Sequence, residues 1–137
     1  MILEGKKISK IANNKKILEN IEISISSEKI YGLLGPNGAG KTSLFSVLSG
    51  LTRASSGEIF FNSKKINQLS FENRSDLGII YLPQEPSVFR ELTVEDNIKA
   101  ALEAKKYDAK EKDKKMNEII DDFSSVSYTH LTLPTNT

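Results

Sequence analysis

From Ile21 to Ser26 apolar and polar residues alternate (Ile-Glu-Ile-Ser-Ile-Ser), and this period of two predicts a half-buried antiparallel strand. Four residues later the pattern changes. Ile30 to Leu34 is mostly apolar, which predicts a strand buried on both faces, as in a parallel sheet. After a glycine-rich stretch the spacing becomes helical, with Leu44, Val47, Leu48 and Leu51 on one face and Gly50 as a C-terminal cap. Ser55-Ser56-Gly57 then turns into Glu58-Ile59-Phe60-Phe61, and Asn62-Ser63 turns the chain again towards Lys64-Lys65-Ile66. That is a hairpin. Leu77 to Leu82 predicts a second buried strand, stopped by Pro83. Beyond it, Thr93 with Asp96 reads as a capping box opening a helix that buries Val94, Ile98, Ala101 and Leu102. Asp108 with Glu111 opens another, burying Met116, Ile119, Ile120 and Phe123.

The 137 residues, 38% hydrophobic and 27% charged, have the size and make-up of one soluble globular domain. A net charge of +1 gives no global field, so no nucleic-acid partner is expected. The lysines from Lys99 to Lys115 are interleaved with Glu103, Glu111 and Asp113 and read as solvated helix faces. Without cysteine the chain has neither disulfides nor thiolate metal sites. Met1 to Lys7 carries an acid and no long apolar core, unlike a signal peptide, and no apolar stretch is long enough to cross a bilayer. A cytoplasmic location is expected, with any membrane role exercised through a partner.

The stretch between the buried strand and the helix carries the chemistry. Gly35-Pro36-Asn37-Gly38-Ala39-Gly40-Lys41-Thr42 fits G-x-x-x-x-G-K-[ST] in full, in the strand–loop–helix setting this motif requires. Such a turn points successive backbone N–H groups inward, and the following helix directs the positive end of its dipole at the same place. A polyphosphate fits there. Lys41 is placed to reach the β- and γ-phosphates, Thr42 to put its hydroxyl on Mg²⁺, and Ser43 to donate near the α-phosphate. Gln84, just past the second buried strand, stands where open parallel sheets bind ligands. Its neutral amide can offer an oxygen to Mg²⁺ and a hydrogen bond to an attacking water.

With these residues in place, the chain resembles the nucleotide-binding subunits of ATP-binding cassette (ABC) transporters: Gly35 to Thr42 matches their Walker A loop and Gln84 their Q-loop glutamine, with a β-hairpin between. Within that family, Gly78 to Ile98 is most similar to the ATPases that serve lipopolysaccharide export, and the likeness runs from about Ser9 to Lys105. The resemblance implies an α/β P-loop NTPase core, an antiparallel β-subdomain and the start of a helical subdomain. It implies ATP and Mg²⁺ as ligands, catalytic roles for Lys41 and Gln84, and a head-to-tail ATPase dimer. Integral-membrane subunits would dock on the region from Tyr81 to Ile98, placing the protein peripherally on the inner face of the cell membrane. The nearest rival within the family is the ATPase of a branched-chain amino-acid importer. Outside transport, the rivals are a soluble ABC ATPase and a non-catalytic nucleotide-binding module.

The sequence departs from the family in three places. Ala12 stands where the family stacks adenine on an aromatic ring, leaving Ile17 to supply apolar contact. Glu28 replaces a customary glycine in the turn before Lys29, where a positive φ would be costly. After Phe123 no signature loop, Walker B strand or switch histidine follows; Val126 to Thr135 instead resembles a translated transposase sequencing adapter. Residues 1–124 are therefore expected to be the N-terminal part of a truncated ABC domain, and 125–137 a non-native tail in which His130 has no catalytic meaning.

Overall fold

Asn13 and Asn14, at φ 49° and 59°, turn strand β1 (Ile2–Ala12) directly into β2 (Lys15–Ser26). Two successive positive φ angles are what a two-residue hairpin needs, and asparagine tolerates them better than most residues. The computed structural model describes residues 1–85, 88–103 and 107–122, in two units, Met1–Leu82 and a second beginning at Pro83.

In the first unit a four-stranded antiparallel sheet runs in the order β2-β1-β3-β4, with β3 at Ser56–Phe61 and β4 at Lys64–Lys65. The alternating strand predicted at Ile21–Ser26 is the second half of β2. The predicted hairpin is β3–β4, turned by Asn62 and Ser63 at φ 46° and 65°. Helix α1 (Lys41–Ser49) contributes Leu44, Val47 and Leu48 to a core with Ile8, Leu18, Ile59 and Ile66. Gly50 ends the helix in the left-handed region at φ 89°, so the chain leaves the helical path there. Leu51, expected on the buried face, is consequently exposed.

The two predicted parallel strands are not formed. Residues 30–34 and 79–82 have no strand assignment, Ile30 and Leu34 are fully or almost fully exposed, and Ile80 and Leu82 are nearly so. The reason is pairing: a parallel strand is held by neighbours in a sheet covered on both faces, and among the described residues neither segment has one. Glu28 is not among the residues with positive φ. Its turn is held by Ser26, whose Oγ accepts from the Glu28 N–H at 3.2 Å, so no glycine is needed.

In the second unit both predicted pairs cap their helices, Asp108 with Glu111 as a full reciprocal box and Thr93 with Asp96 through the threonine hydroxyl alone. Thr93 Oγ1 accepts from the Asp96 N–H at 3.1 Å and donates to Asp96 Oδ2 at 2.7 Å, opening α3 (Val94–Glu103). This helix follows α2 (Phe71–Asp76) of the first unit. Asp108 Oδ1 accepts from the Glu111 N–H at 2.8 Å, while the Asp108 N–H donates to Glu111 Oε2 at 3.3 Å, opening α4 (Ala109–Asp122). Leu102 and Ile120 are buried and Val94, Ile98, Met116 and Ile119 partly so, whereas Ala101 is exposed. Val94, Ile98 and Leu102 already form one stripe at intervals of four, and Ala101 falls beside it. Phe123 and the whole predicted tail lie outside the described residues. Lys99 pairs with Glu95 at 2.6 Å and Lys114 with Glu118 at 3.7 Å, one helical turn apart on solvated faces, as expected for these lysines.

The core assignment predicts a graded set of stabilities. Ile59→Ala, at a position 1% exposed, is expected to cost about 2–5 kcal/mol. Ile11→Ala, on the same sheet but 52% exposed, should change stability by no more than about 0.5 kcal/mol. Urea titrations of the two variants check this; similar losses would place the packed face of the sheet elsewhere.

Candidate functional site

The loop from Gly35 to Gly40 is exposed along almost its whole length and is shaped by its own backbone. The Ala39 N–H donates to Pro36 O at 3.2 Å, and Gly38 and Gly40 both take positive φ, 83° and 89°. Gly40 is the N-cap of α1. No side chain caps this helix, and its first turn holds no acidic residue. The first-turn N–H groups of a helix have no partner within the helix. Here nothing from the side chains competes for them, so they and the dipole behind them are free to meet an anion.

Gly40 is also fixed from the side. A Cβ at this position would lie 2.7 Å from Ile17 O and 3.0 Å from Leu18 Cδ2, so β2 admits only glycine here, and the positive φ adds to the restriction. The same contact sets Ile17 against the loop; a Gly40 Cβ would be 3.6 Å from Ile17 Cγ2. The structure thus brings together Gly35 to Ser43 and Ile17. Tyr31 is tied elsewhere, its hydroxyl accepting from the Ser26 N–H at 3.2 Å. Ser26 is nine residues along β2 from Ile17, roughly 30 Å at strand rise.

The Lys41 ammonium folds back over the loop and donates to Gly35 O and Pro36 O, both at 2.7 Å. A cation is therefore held beside the loop on a flexible stem, with two neutral carbonyls and no carboxylate as its hydrogen-bond partners. Thr42 is exposed and Ser43 partly buried. Among the described residues no three His, Asp or Glu side chains are grouped to hold a metal. A divalent cation at this site would take the Thr42 hydroxyl, the usual place of a Mg²⁺ ligand in such a loop, together with ligand phosphate oxygens and waters. Gln84 lies in a bend at the start of the second unit, exposed. So are Val88, Phe89 and Leu92 in the segment that follows it.

One residue was not predicted from the sequence at all. Arg74, in α2, is only 3% exposed. Its Nη1 donates to Val47 O at 2.9 Å and Leu48 O at 2.8 Å, and its Nη2 to Ile66 O at 3.0 Å. Burial pushes its pKa down, with no carboxylate offsetting the effect, yet a guanidinium stays protonated in proteins. In the sequence Phe-Glu-Asn-Arg-Ser-Asp it looks like one more charge in a polar turn, and no periodicity marks it as buried.

Comparison with known proteins agrees with this geometry. The family model for ABC transporters matches residues 18–136. The chain is similar to the lipopolysaccharide export system ATP-binding protein LptB of Haemophilus influenzae, with 40% identity over 124 residues, covering 90% of this chain and 52% of that protein. To the Escherichia coli protein of the same name it is 36% identical over 122 residues, 88% of this chain and 51% of the relative. It also superposes on a solved ATP-binding cassette of an ABC transporter with a TM-score of 0.81 at 26% identity, covering 96% of this chain and 57% of that one. The chain spans about half the length of the curated relatives it matches. With the complete G-x-x-x-x-G-K-[ST] loop and the cassette fold both present, the chain belongs to the ABC transporter ATP-binding family.

Proposed function

We propose that residues 1–124 are the N-terminal part of the ATP-binding subunit of an ABC transporter that couples Mg-ATP binding and hydrolysis to lipopolysaccharide export. The observation that carries this reading is the uncapped start of α1 with Lys41 poised over it, in a chain 40% identical to a lipopolysaccharide export ATPase. On this reading the N–H groups of Gly38 to Ser43 hold the phosphates. Lys41 exchanges the carbonyls of Gly35 and Pro36 for β- and γ-phosphate oxygens, and Ile17 offers an apolar face to the base. Thr42 would hold Mg²⁺, and the family resemblance assigns a Mg²⁺ contact to Gln84 as well; when bound, the ion would neutralise charge on the phosphates. Gln84 also orients the attacking water, and stabilisation by Lys41 of charge spread over the transferred group lowers the barrier. The exposed apolar side chains Val88, Phe89 and Leu92 support membrane subunits docking along residues 81–98. That docking would hold the protein at the inner face of the cell membrane, working as a head-to-tail pair.

Lys41 and Gln84 should respond differently to removal. Lys41→Ala should weaken Mg-ATP binding by about 1.5–3 kcal/mol, the worth of a hydrogen bond to a charged group. Gln84→Ala should leave binding nearly intact and depress hydrolysis in the assembled transporter. Calorimetric titration and phosphate release distinguish the two, and equal losses of affinity would remove Gln84 from its assigned role.

The absence of an aromatic at Ala12 predicts that Ala12→Tyr tightens ATP and GTP binding alike by about 1 kcal/mol, the lower end for a base on an aromatic ring. Because Tyr31 is anchored to Ser26, unchanged affinity in this variant would mean that position 12 does not face the base.

The gene supplies the third test. Amplifying the locus from source DNA with primers outside it should replace everything after about Ser124 by an open frame of roughly 100 further residues, since hydrolysis needs a water-activating group and further phosphate contacts. That frame should encode a signature loop, an apolar strand ending in Asp-Glu and a later histidine. Recovery of Val126 to Thr135 followed by a stop codon would make a non-catalytic nucleotide-binding module the better account.

A further inference from the structure

We infer that Arg74 is a positioning residue for the phosphate loop: by gripping the C-terminal carbonyls of α1 it fixes the angle at which the other end of that helix presents its N–H groups to a nucleotide. The inference rests on the nucleotide-binding reading above and concerns a residue some distance from the cradle.

At nine residues α1 is about 13 Å long and too short to be stable by itself. Its seating is therefore set by what touches its two ends and its apolar face. At the N-terminal end Gly40 rests against the Ile17 carbonyl. At the C-terminal end the guanidinium takes Val47 O and Leu48 O with one nitrogen and Ile66 O, on the chain leaving β4, with the other. The arginine therefore joins the helix terminus to the sheet at fixed distances, and its positive charge meets the negative end of the helix dipole.

Stability alone does not account for a charge in this place. Buried ionic groups can often be replaced by apolar side chains of similar volume at little or no loss, and Arg74 carries a further disadvantage, since its Nε is buried with no hydrogen-bond partner. What an apolar side chain cannot do is hold three carbonyls from two segments in one plane. Lysine has three donors but all on one nitrogen, so it cannot span carbonyls that the guanidinium reaches with two separate, fixed nitrogens. Gly50 belongs to the same device. A Cβ there would lie 3.0 Å from both Cδ and Nε of Arg74, at a φ of 89°, so the glycine keeps the guanidinium in its seat. A displacement of about 1 Å far from the chemistry can change rates a hundredfold, and a tilt about the gripped end is transmitted to Lys41 and Thr42 over the length of the helix.

The test compares Arg74→Lys and Gly50→Ala with the unaltered protein, in the complete subunit, or in the 137-residue chain if the locus ends where this chain does. Hydrogen exchange reads two places separately: the Leu44 amide, which closes the first turn on Gly40 O, and the Thr52 amide, which donates to Ser46 O beyond the helix. We expect both variants to speed exchange around Leu44 and to weaken Mg-ATP binding about five- to twentyfold, with thermal midpoints within a few degrees of the parent. Gly50→Ala should be the milder, since it keeps the guanidinium and only displaces it. Faster exchange confined to the region of Thr52, with the Leu44 region and Mg-ATP affinity unchanged, would overturn the inference and leave Arg74 a local fastening. If Arg74→Lys fails to fold, an unchanged loop in Gly50→Ala also overturns it. A parent protein that binds no Mg-ATP removes the nucleotide reading instead, and exchange at Leu44 still decides whether Arg74 governs the loop.

Discussion

Everything chemical in the first unit depends on how a nine-residue helix is seated. A helix of this length does not persist in water on its own, so α1 exists because Leu44, Val47 and Leu48 are buried against Ile8, Leu18, Ile59 and Ile66 on the antiparallel sheet. Burying each such side chain is worth about 1.5–3 kcal/mol, which acts together with the helix's own hydrogen bonds and the contacts at its ends against the cost of ordering it. The apolar face fixes where the helix lies. The direction of its axis, and hence the aim of the N–H groups at its start, is fixed at the ends, by Gly40 against β2 and by the carbonyls that Arg74 collects.

Among the described residues the antiparallel sheet is formed, whereas the parallel strands foreseen at Ile30–Leu34 and Leu77–Leu82 are not. The difference is one of partners. Strands β1–β2 and β3–β4 are each joined by a turn of two residues, and β3 finds β1 within the described residues although Leu3 pairs with Phe61, far along the chain. A parallel strand needs neighbours reached by long crossovers, and among the described residues there are none for these two segments. The exposed side chains of Ile30, Leu34, Ile80 and Leu82 follow from that, in a chain that spans about half the length of the relatives it matches.

This also explains which parts of the fold were legible in the sequence. Alternation at Ile21–Ser26, the Asn62-Ser63 turn, the Gly50 cap, the Thr93 cap and the Asp108–Glu111 capping box are signals written within a few residues, and each is found in the structure. Strand β1 was harder to read because its register slips three times between Gly5 and Ile11, which breaks the period of two, and only the Asn13-Asn14 pair marks its end. Arg74 was illegible for a different reason. Its partners lie 8 to 27 residues away, and no local pattern specifies a contact of that kind. The phosphate loop was legible through its motif, and its link to Ile17 only through the geometry of Gly40.

A comparison of helix starts sets α1 apart from the other helices on physical grounds. Helices α3 and α4 begin as stable helices do, with side chains that cap the backbone and acids in the first turn. Helix α1 breaks each of those rules: its N-cap is a glycine in the left-handed region, no side chain caps it, and its first residue is a lysine whose charge opposes the dipole. Each departure weakens the helix and strengthens the attraction for an anion, because N–H groups left without an internal acceptor and a positive end left without a counter-charge are both offered outward. Local rules tend to be broken at functional sites and compensated elsewhere. Here the compensation is at hand, in the buried stripe beneath α1 and in the guanidinium at its far end, so that an anion-seeking terminus is held in place by contacts that take no part in binding the anion.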